Sequence, residues 1–148
     1  SEGKSSRLYR SLVYEKKLAL NASASYSGLY KDPFLFFLEA TAAPGQDVSE
    51  LEQALYAEVE RIKAEPPSEF ELQKAKNQIE ASFVMDQDSV FLQAQVIGMF
   101  EMLGDWRLKD SYLEGIRNVT AGDVQGVAAK YIHPDNRTVG VLVPEKAE

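Results

Sequence analysis

The chain has 148 residues, 45% of them hydrophobic and 26% charged, with 16 basic against 23 acidic side chains and a formal net charge of −7. That is enough length and apolar content for one domain with a core, and the acidic balance argues against a nucleic-acid surface, which needs a local basic excess. The absence of cysteine removes any disulfide framework or thiolate metal site, and no apolar run approaches the roughly 20 residues that span a bilayer as a helix.

Residues 5–17 read as a short helix with Leu8, Tyr9, Leu12 and Val13 as its apolar stripe. Lys4, Arg7, Arg10, Lys16 and Lys17 are expected on its wet side. Residues 19–30 alternate, with Leu20, Ala22, Ala24 and Tyr26 on one face and Asn21, Ser23 and Ser25 on the other, the pattern of a half-buried strand. Lys31-Asp32-Pro33 signals a turn. A second strand over 34–42 follows, with Phe34, Phe36, Leu38 and Ala40 facing the core. The two strands are expected to pair as an antiparallel hairpin.

Pro44 and Gly45 end that strand, and Asp47 with Glu50 opens a helix running to about residue 64. Leu51, Leu55, Val59 and Ile62 form its buried face, while Glu58 and Arg61 are expected outside as neighbours. Pro66 and Pro67 stop it.

Ser68 and Glu71 then form a capping box for the longest predicted element, residues 68–103. Leu72, Ala75, Ile79, Phe83, Val90, Ala94 and Ile97 recur on one helical face. Residues 90–103 are apolar nearly all round, so this stretch is expected to be buried on most sides, with the core packed around it. A straight helix of that length would run roughly 50 Å, so a bend is expected near 85–89, with Gly104 as the stop. Trp106 is expected to plug the core beneath the helix end.

A short helix over 109–119 and another opened by Thr120 and Asp123 and ending near 132 come next. Pro134-Asp135-Asn136 is a turn. Residues 137–143, RTVGVLV, are strongly β-prone and are expected to form a central or near-central strand. The fold class is therefore α+β, an antiparallel sheet with helices packed on one face and one very long helix, with residues 1–148 as a single domain. The chain opens SEGKSS without an initiator methionine. A longer parent polypeptide is expected, with a strand and a helix ahead of Ser1 and any targeting segment upstream.

No catalytic constellation emerges from these residues. His133 is the single histidine, and neither H-E-x-x-H nor H-x-x-E-H occurs, so a zinc site has no ligand set here. There is no G-x-G-x-x-G, no P-loop and no G-x-S-x-G elbow. The carboxylates lie on helices at spacings that suit solvation. No catalytic, cofactor-binding or metal-ligating residue is assigned within the chain.

Three segments together carry a family resemblance. SSRLYRSLVYEKKLALNASAS is similar to the helix-then-strand segment in the C-terminal domain of insulinase/pitrilysin-type zinc peptidases, the family that includes mitochondrial processing peptidase. EFELQKAKNQIEASFVMDQDSVFLQAQVIGMFEMLGDW resembles that family's long helix and following loop, and VTAGDVQGVAAKYIHPDNRTVGVLVP its closing helix, turn and strand. The resemblance implies a clamshell of paired α+β halves around an extended peptide, with zinc held by an H-x-x-E-H motif on one half. Lacking that motif, this chain resembles the other, non-zinc half. No cofactor is then expected in this chain, zinc lying on another domain or on a partner subunit.

Active members place an arginine and a tyrosine seven apart in this half. Aligning LVYEKKLAL with that pattern puts Val13 and Leu20 there. Arg10 and Lys17 are seven apart and Tyr14 is close, but none falls in register. The resemblance thus implies a non-catalytic C-terminal domain that shapes a substrate chamber. Its expected partners are its own zinc-bearing half or a partner subunit, and peptide, with homodimers or heterodimers open. The alternative is an inactive structural or assembly module, the role of inactive relatives in respiratory core proteins. By analogy with exported bacterial relatives, a periplasmic or envelope location is possible.

Overall fold

In the computed structural model, which describes residues 3–28 and 30–143, the packed core is built by residues 8–55. A π-helical segment, Tyr9–Glu15, leads into strand β1, Ala19–Ser25. Strand β2, Phe37–Ala42, returns antiparallel beside it, and helix α1, Val48–Ala64, packs against both β2 and the π-helix. Leu8, Leu12, Leu18, Ala19, Ala22, Leu51 and Ala54 form the buried cluster, with Leu38, Ala40 and Ala42 of β2 against it. Leu12 is fully buried. The α+β class and the hairpin of the sequence reading stand.

The pairing of β1 carries one irregularity that the alternation did not reveal. Ala19 pairs with Ala42 and Asn21 with Thr41, so Leu20 is an extra residue in a bulge. The bulge shifts the inward positions: Ala19 and Ala22 are both buried, while Leu20 is 58% exposed. The expectation that Leu20 shares the face of Ala22 is therefore corrected. In β2 the expected face holds at Leu38 and Ala40, but Phe34 and Phe36 lie before the strand and are exposed. Phe34 instead stacks on Tyr30, ring centroids 4.0 Å apart, and meets Phe37 edge-on at 6.0 Å.

Capping chemistry sets the helix starts where the sequence places them. Asp47 caps α1 through the Ser49 N–H. Ser68 and Glu71 form a capping box at α2, Glu69–Asp86, and Thr120 and Asp123 form another at α5, Ala121–Tyr131. The long element does not stay whole. It breaks at 87–89, and Ser89 caps a separate α3, Val90–Leu103, by accepting from the Leu92 N–H. Gly104 ends α3 at φ 134°, a backbone shape that side chains disfavour. Helix α4, Leu108–Asn118, then packs against both α2 and α3. Phe83, Tyr112 and Phe100 join the three, with ring centroids 5.3 and 5.8 Å apart. Arg117 on α4 also pairs with Glu80 on α2. Helix α5 lies against α1.

Several expectations fail because burial depends on neighbours rather than on composition. The core does not surround α2 and α3: no residue of α2 is buried, and Phe100 alone is buried in α3. Trp106 does not plug the core. It is 39% exposed, flanked by Arg107 and Lys109 above its ring. Residues 137–143 form no strand. The sheet among the described residues has two strands, and Val139, Val141, Leu142 and Val143 are exposed. A β-prone sequence becomes a strand only where a sheet edge meets it. Arg137, at the start of this segment, lies over the Tyr56 ring at 3.7 Å.

Candidate functional site

The two positions that the family resemblance singles out flank the turn from the π-helix into β1, Val13 in the π-helix and Leu20 in β1. The π-helix closes with the Lys16 N–H donating to the Ser11 carbonyl at 2.9 Å. Lys17 then takes a left-handed backbone, φ 56°, which turns the chain so that the Leu18 N–H reaches the Leu12 carbonyl at 2.9 Å. The Ala43 N–H donates to the Leu18 carbonyl, also at 2.9 Å, fixing the start of β1 against the end of β2. Val13 packs half-buried against the core, and Leu20 projects from the bulge, exposed. Neither can donate or accept a hydrogen bond through its side chain. Arg10 is paired with Glu15 at 2.8 Å, and Tyr14 is 77% exposed.

Beneath this turn lies a polar network that the sequence reading missed. Arg7, expected on the wet side, is half-buried and donates two hydrogen bonds of 2.8 Å to the Glu71 carboxylate. Glu71 also accepts from the N–H and hydroxyl of Ser68, at 3.0 and 2.8 Å. The Arg7 guanidinium first, and these Ser68 donors after it, hold the Glu71 carboxyl down at about 2 despite a counteracting desolvation. The same pairing raises Arg7.

Glu58, expected outside, is buried on α1, and the Ser11 hydroxyl donates to it at 2.6 Å. Arg61 Nη1 stands 3.3 Å from Glu58 Oε2, an ion pair whose geometry leaves that oxygen without a hydrogen bond. Arg7 Nη1 is likewise buried without one. The Arg7–Glu71 pair thus fastens the N-terminal helical segment to the start of α2, and the Ser11–Glu58 hydrogen bond fastens the π-helix to α1. With both orphaned atoms enclosed, the network suits holding elements together more than meeting a substrate. The signal that could have found it is the pairing of a serine and an arginine on one short helix with acids on later ones, which only the tertiary contacts specify.

On the other side of the π-helix an open cleft of about 440 Å³ lies against β1. Lys4, Tyr9, Ser23, Ser25 and Glu39 line it, together with Gly3, Ala22 and Ala24. One cation, one anion, a phenol and two hydroxyls thus share the cleft with apolar alanine surface. No sequence motif marks these residues. As for zinc, the residues present do not fit it: among the described residues no group of three or more His, Cys, Asp or Glu side chains could hold a metal ion. His133 precedes a short 3-10 turn, Pro134–Asn136, and only its backbone carbonyl joins the turn, accepting from the Asn136 N–H.

The family model described as the peptidase M16 inactive domain matches residues 1–79, the stretch that builds the core and the polar network. An uncharacterized zinc protease of Rickettsia bellii (strain RML369-C) is 31% identical over 144 residues, covering 96% of this chain and 34% of the relative. The chain therefore spans about a third of that relative's length. Among solved structures, a candidate zinc protease from Bordetella pertussis Tohama I superposes with a TM-score of 0.84 at 28% identity, over 97% of this chain and 79% of that one. The inactive peptidase domain of a candidate zinc protease from Bordetella parapertussis gives 0.82 at 27%, over 99% and 79%. A protease from Helicobacter pylori gives 0.81 at 26%, over 88% of this chain and 32% of that one.

Proposed function

We propose a role for this chain from the premise that it belongs to the peptidase M16 family, as an inactive domain of that family: it is a non-catalytic domain of a longer zinc metalloendopeptidase, forming part of the substrate chamber and holding extended peptide. The observation that carries this reading is the chemistry at Val13 and Leu20. Where the resemblance expects an arginine and a tyrosine reaching toward substrate, both side chains are apolar. Neither can stabilise a developing charge by hydrogen bonding. Polarising a scissile carbonyl and activating water would fall to the zinc-bearing half or to a partner subunit. The cleft beside β1, with Lys4 and Glu39, is the proposed seat for peptide.

Incubated with zinc and a fluorogenic peptide, the chain alone is expected to show no turnover above buffer and to keep no stoichiometric zinc after dialysis. Hydrolysis by the chain alone overturns the non-catalytic reading. Peptide holding is checked separately, by the loss of binding of a dye-labelled extended peptide when Lys4→Ala and Glu39→Ala are combined.

A second reading, an assembly module with no proteolytic role, is favoured by one specific observation. Helix α3 leaves an apolar face in solvent. A complete parent polypeptide that carries no zinc motif and has no zinc-bearing partner decides for this reading.

A further inference from the structure

Helix α3 is apolar on two opposite faces, and among the described residues only one of them packs against another element. The inward face, with Phe100 against Tyr112, meets α4. At 100° per residue, Val90, Phe91, Ala94, Ile97, Gly98 and Met102 fall on the opposite side. There Val90 is 82% exposed, Phe91 76% and Met102 75%. No charged residue occurs between Val90 and Phe100. The chain as a whole exposes 11013 Å², about half as much again as a compact monomer of its mass. That surplus, spread over the whole chain, is more than one side of most obligate interfaces covers, so uncovered surface is not confined to α3.

We infer that the outer face of α3 is a docking surface for an apolar helix of another polypeptide segment, one that carries basic residues at its two ends. The charges around the face select this occupant. Asp86 and Asp88 precede the first turn of α3, and Glu101 lies on the outer face at its last turn. A second copy is disfavoured, because antiparallel pairing lays Asp86 and Asp88 against Glu101, and parallel pairing lays each acid against itself. Anionic lipid surfaces are repelled by the same acids, and no helix among the described residues is long and apolar enough to cross a membrane. A lysine or arginine at each end of an uncharged helix satisfies both ends at once. This inference does not depend on the peptidase reading or on the cleft beside β1.

The test uses the whole chain and a designed, dye-labelled amphipathic peptide about as long as α3, with leucine and isoleucine on one face and lysine at both ends. A matched peptide ends in glutamate instead. The lysine peptide is expected to bind about ten-fold more tightly than the glutamate peptide at low salt, with the gap closing at high salt. Phe91→Glu is expected to weaken binding about five-fold or more, while Phe70→Glu on α2, equally exposed at 78%, leaves it unchanged. Gly98→Leu provides a control for folding. A Cβ at Gly98 meets nothing within 4 Å and leucine favours the helix, so stability holds or rises while docking falls. Equal binding of the two peptides, or no binding, overturns the inference. So does a Phe91-dependent dimer in sedimentation, or Phe91-dependent capture by uncharged phosphatidylcholine vesicles.

Discussion

Arg7 and Glu71, 64 positions apart, meet through two parallel hydrogen bonds of 2.8 Å. The pair joins the first helical segment to the first turn of α2, and the same carboxylate also completes the Ser68 capping box. One side chain thus terminates a helix and fixes where that helix leaves the core. With the Glu71 side chain 40% exposed, solvent screening cuts what the pair contributes.

For this pair, Arg7→Ala is expected to lower unfolding stability by about 1–2 kcal/mol in urea titration. The pH dependence follows from the depressed Glu71 carboxyl, about 2 against an ordinary 4.5. The unfolded chain takes up the proton first, so the contribution is complete above the ordinary value and is lost as pH falls through the folded one. Glu71→Gln should therefore flatten the acid limb of stability between those two values. An acid limb that overlays the parent's contradicts the assignment.

Ser11 donates at 2.6 Å to Glu58, whose side chain is 7% exposed. Ser11→Ala leaves a buried carboxylate short of a donor and is expected to cost about 1–3 kcal/mol. A cycle with Glu58→Ala should show coupling of about 1 kcal/mol between the two sites. Simple additivity would mean that the hydroxyl contributes nothing through Glu58.

Lys17 holds a left-handed backbone, φ 56°, with its neighbours' hydrogen bonds intact. Such a conformation costs a side-chain-bearing residue roughly 1–2 kcal/mol, and glycine escapes most of it at some cost in unfolded-chain entropy. Lys17→Gly is expected to raise the thermal midpoint, by a gain of up to about 1 kcal/mol. A lowered midpoint would show that the lysine side chain itself matters.

Installing the family's pair should separate the two positions. Val13 packs against the core, so Val13→Arg is expected to lose about 1–3 kcal/mol by burying part of a charge. Leu20 projects from the bulge into solvent, so Leu20→Tyr should stay within about 0.5 kcal/mol of the parent. Equal effects in chemical denaturation would argue against the bulge.

The candidate site was only partly legible in advance. Val13 and Leu20 could be placed by resemblance, but the sequence put Leu20 on the buried face. One extra residue in a strand reverses the side on which every later side chain falls, and no local pattern announces it. Arg7 looked like a solvated charge because Lys4, Arg10 and Ser11 are its helical neighbours, whereas Glu58 falls on the same helical stripe as Leu51, Leu55 and Ile62 and was set outside on its charge alone. The partners that bury them, Glu71 and Ser11, come from distant segments.

The local chemistry of the chain was enough to fix the caps at Asp47, Ser68 and Thr120, the extent of α1, the turn at Pro134 and the inward face of β2 at Leu38 and Ala40. Each rests on hydrogen bonds or side-chain periodicity within a few residues. Only the tertiary structure decided that α3 carries an exposed apolar face, that Trp106 lies outside the core, that Glu58 takes its hydrogen bond from Ser11 and that residues 137–143 pair with no strand among those described. Burial and strand pairing are properties of two surfaces meeting, and a sequence lists one surface at a time.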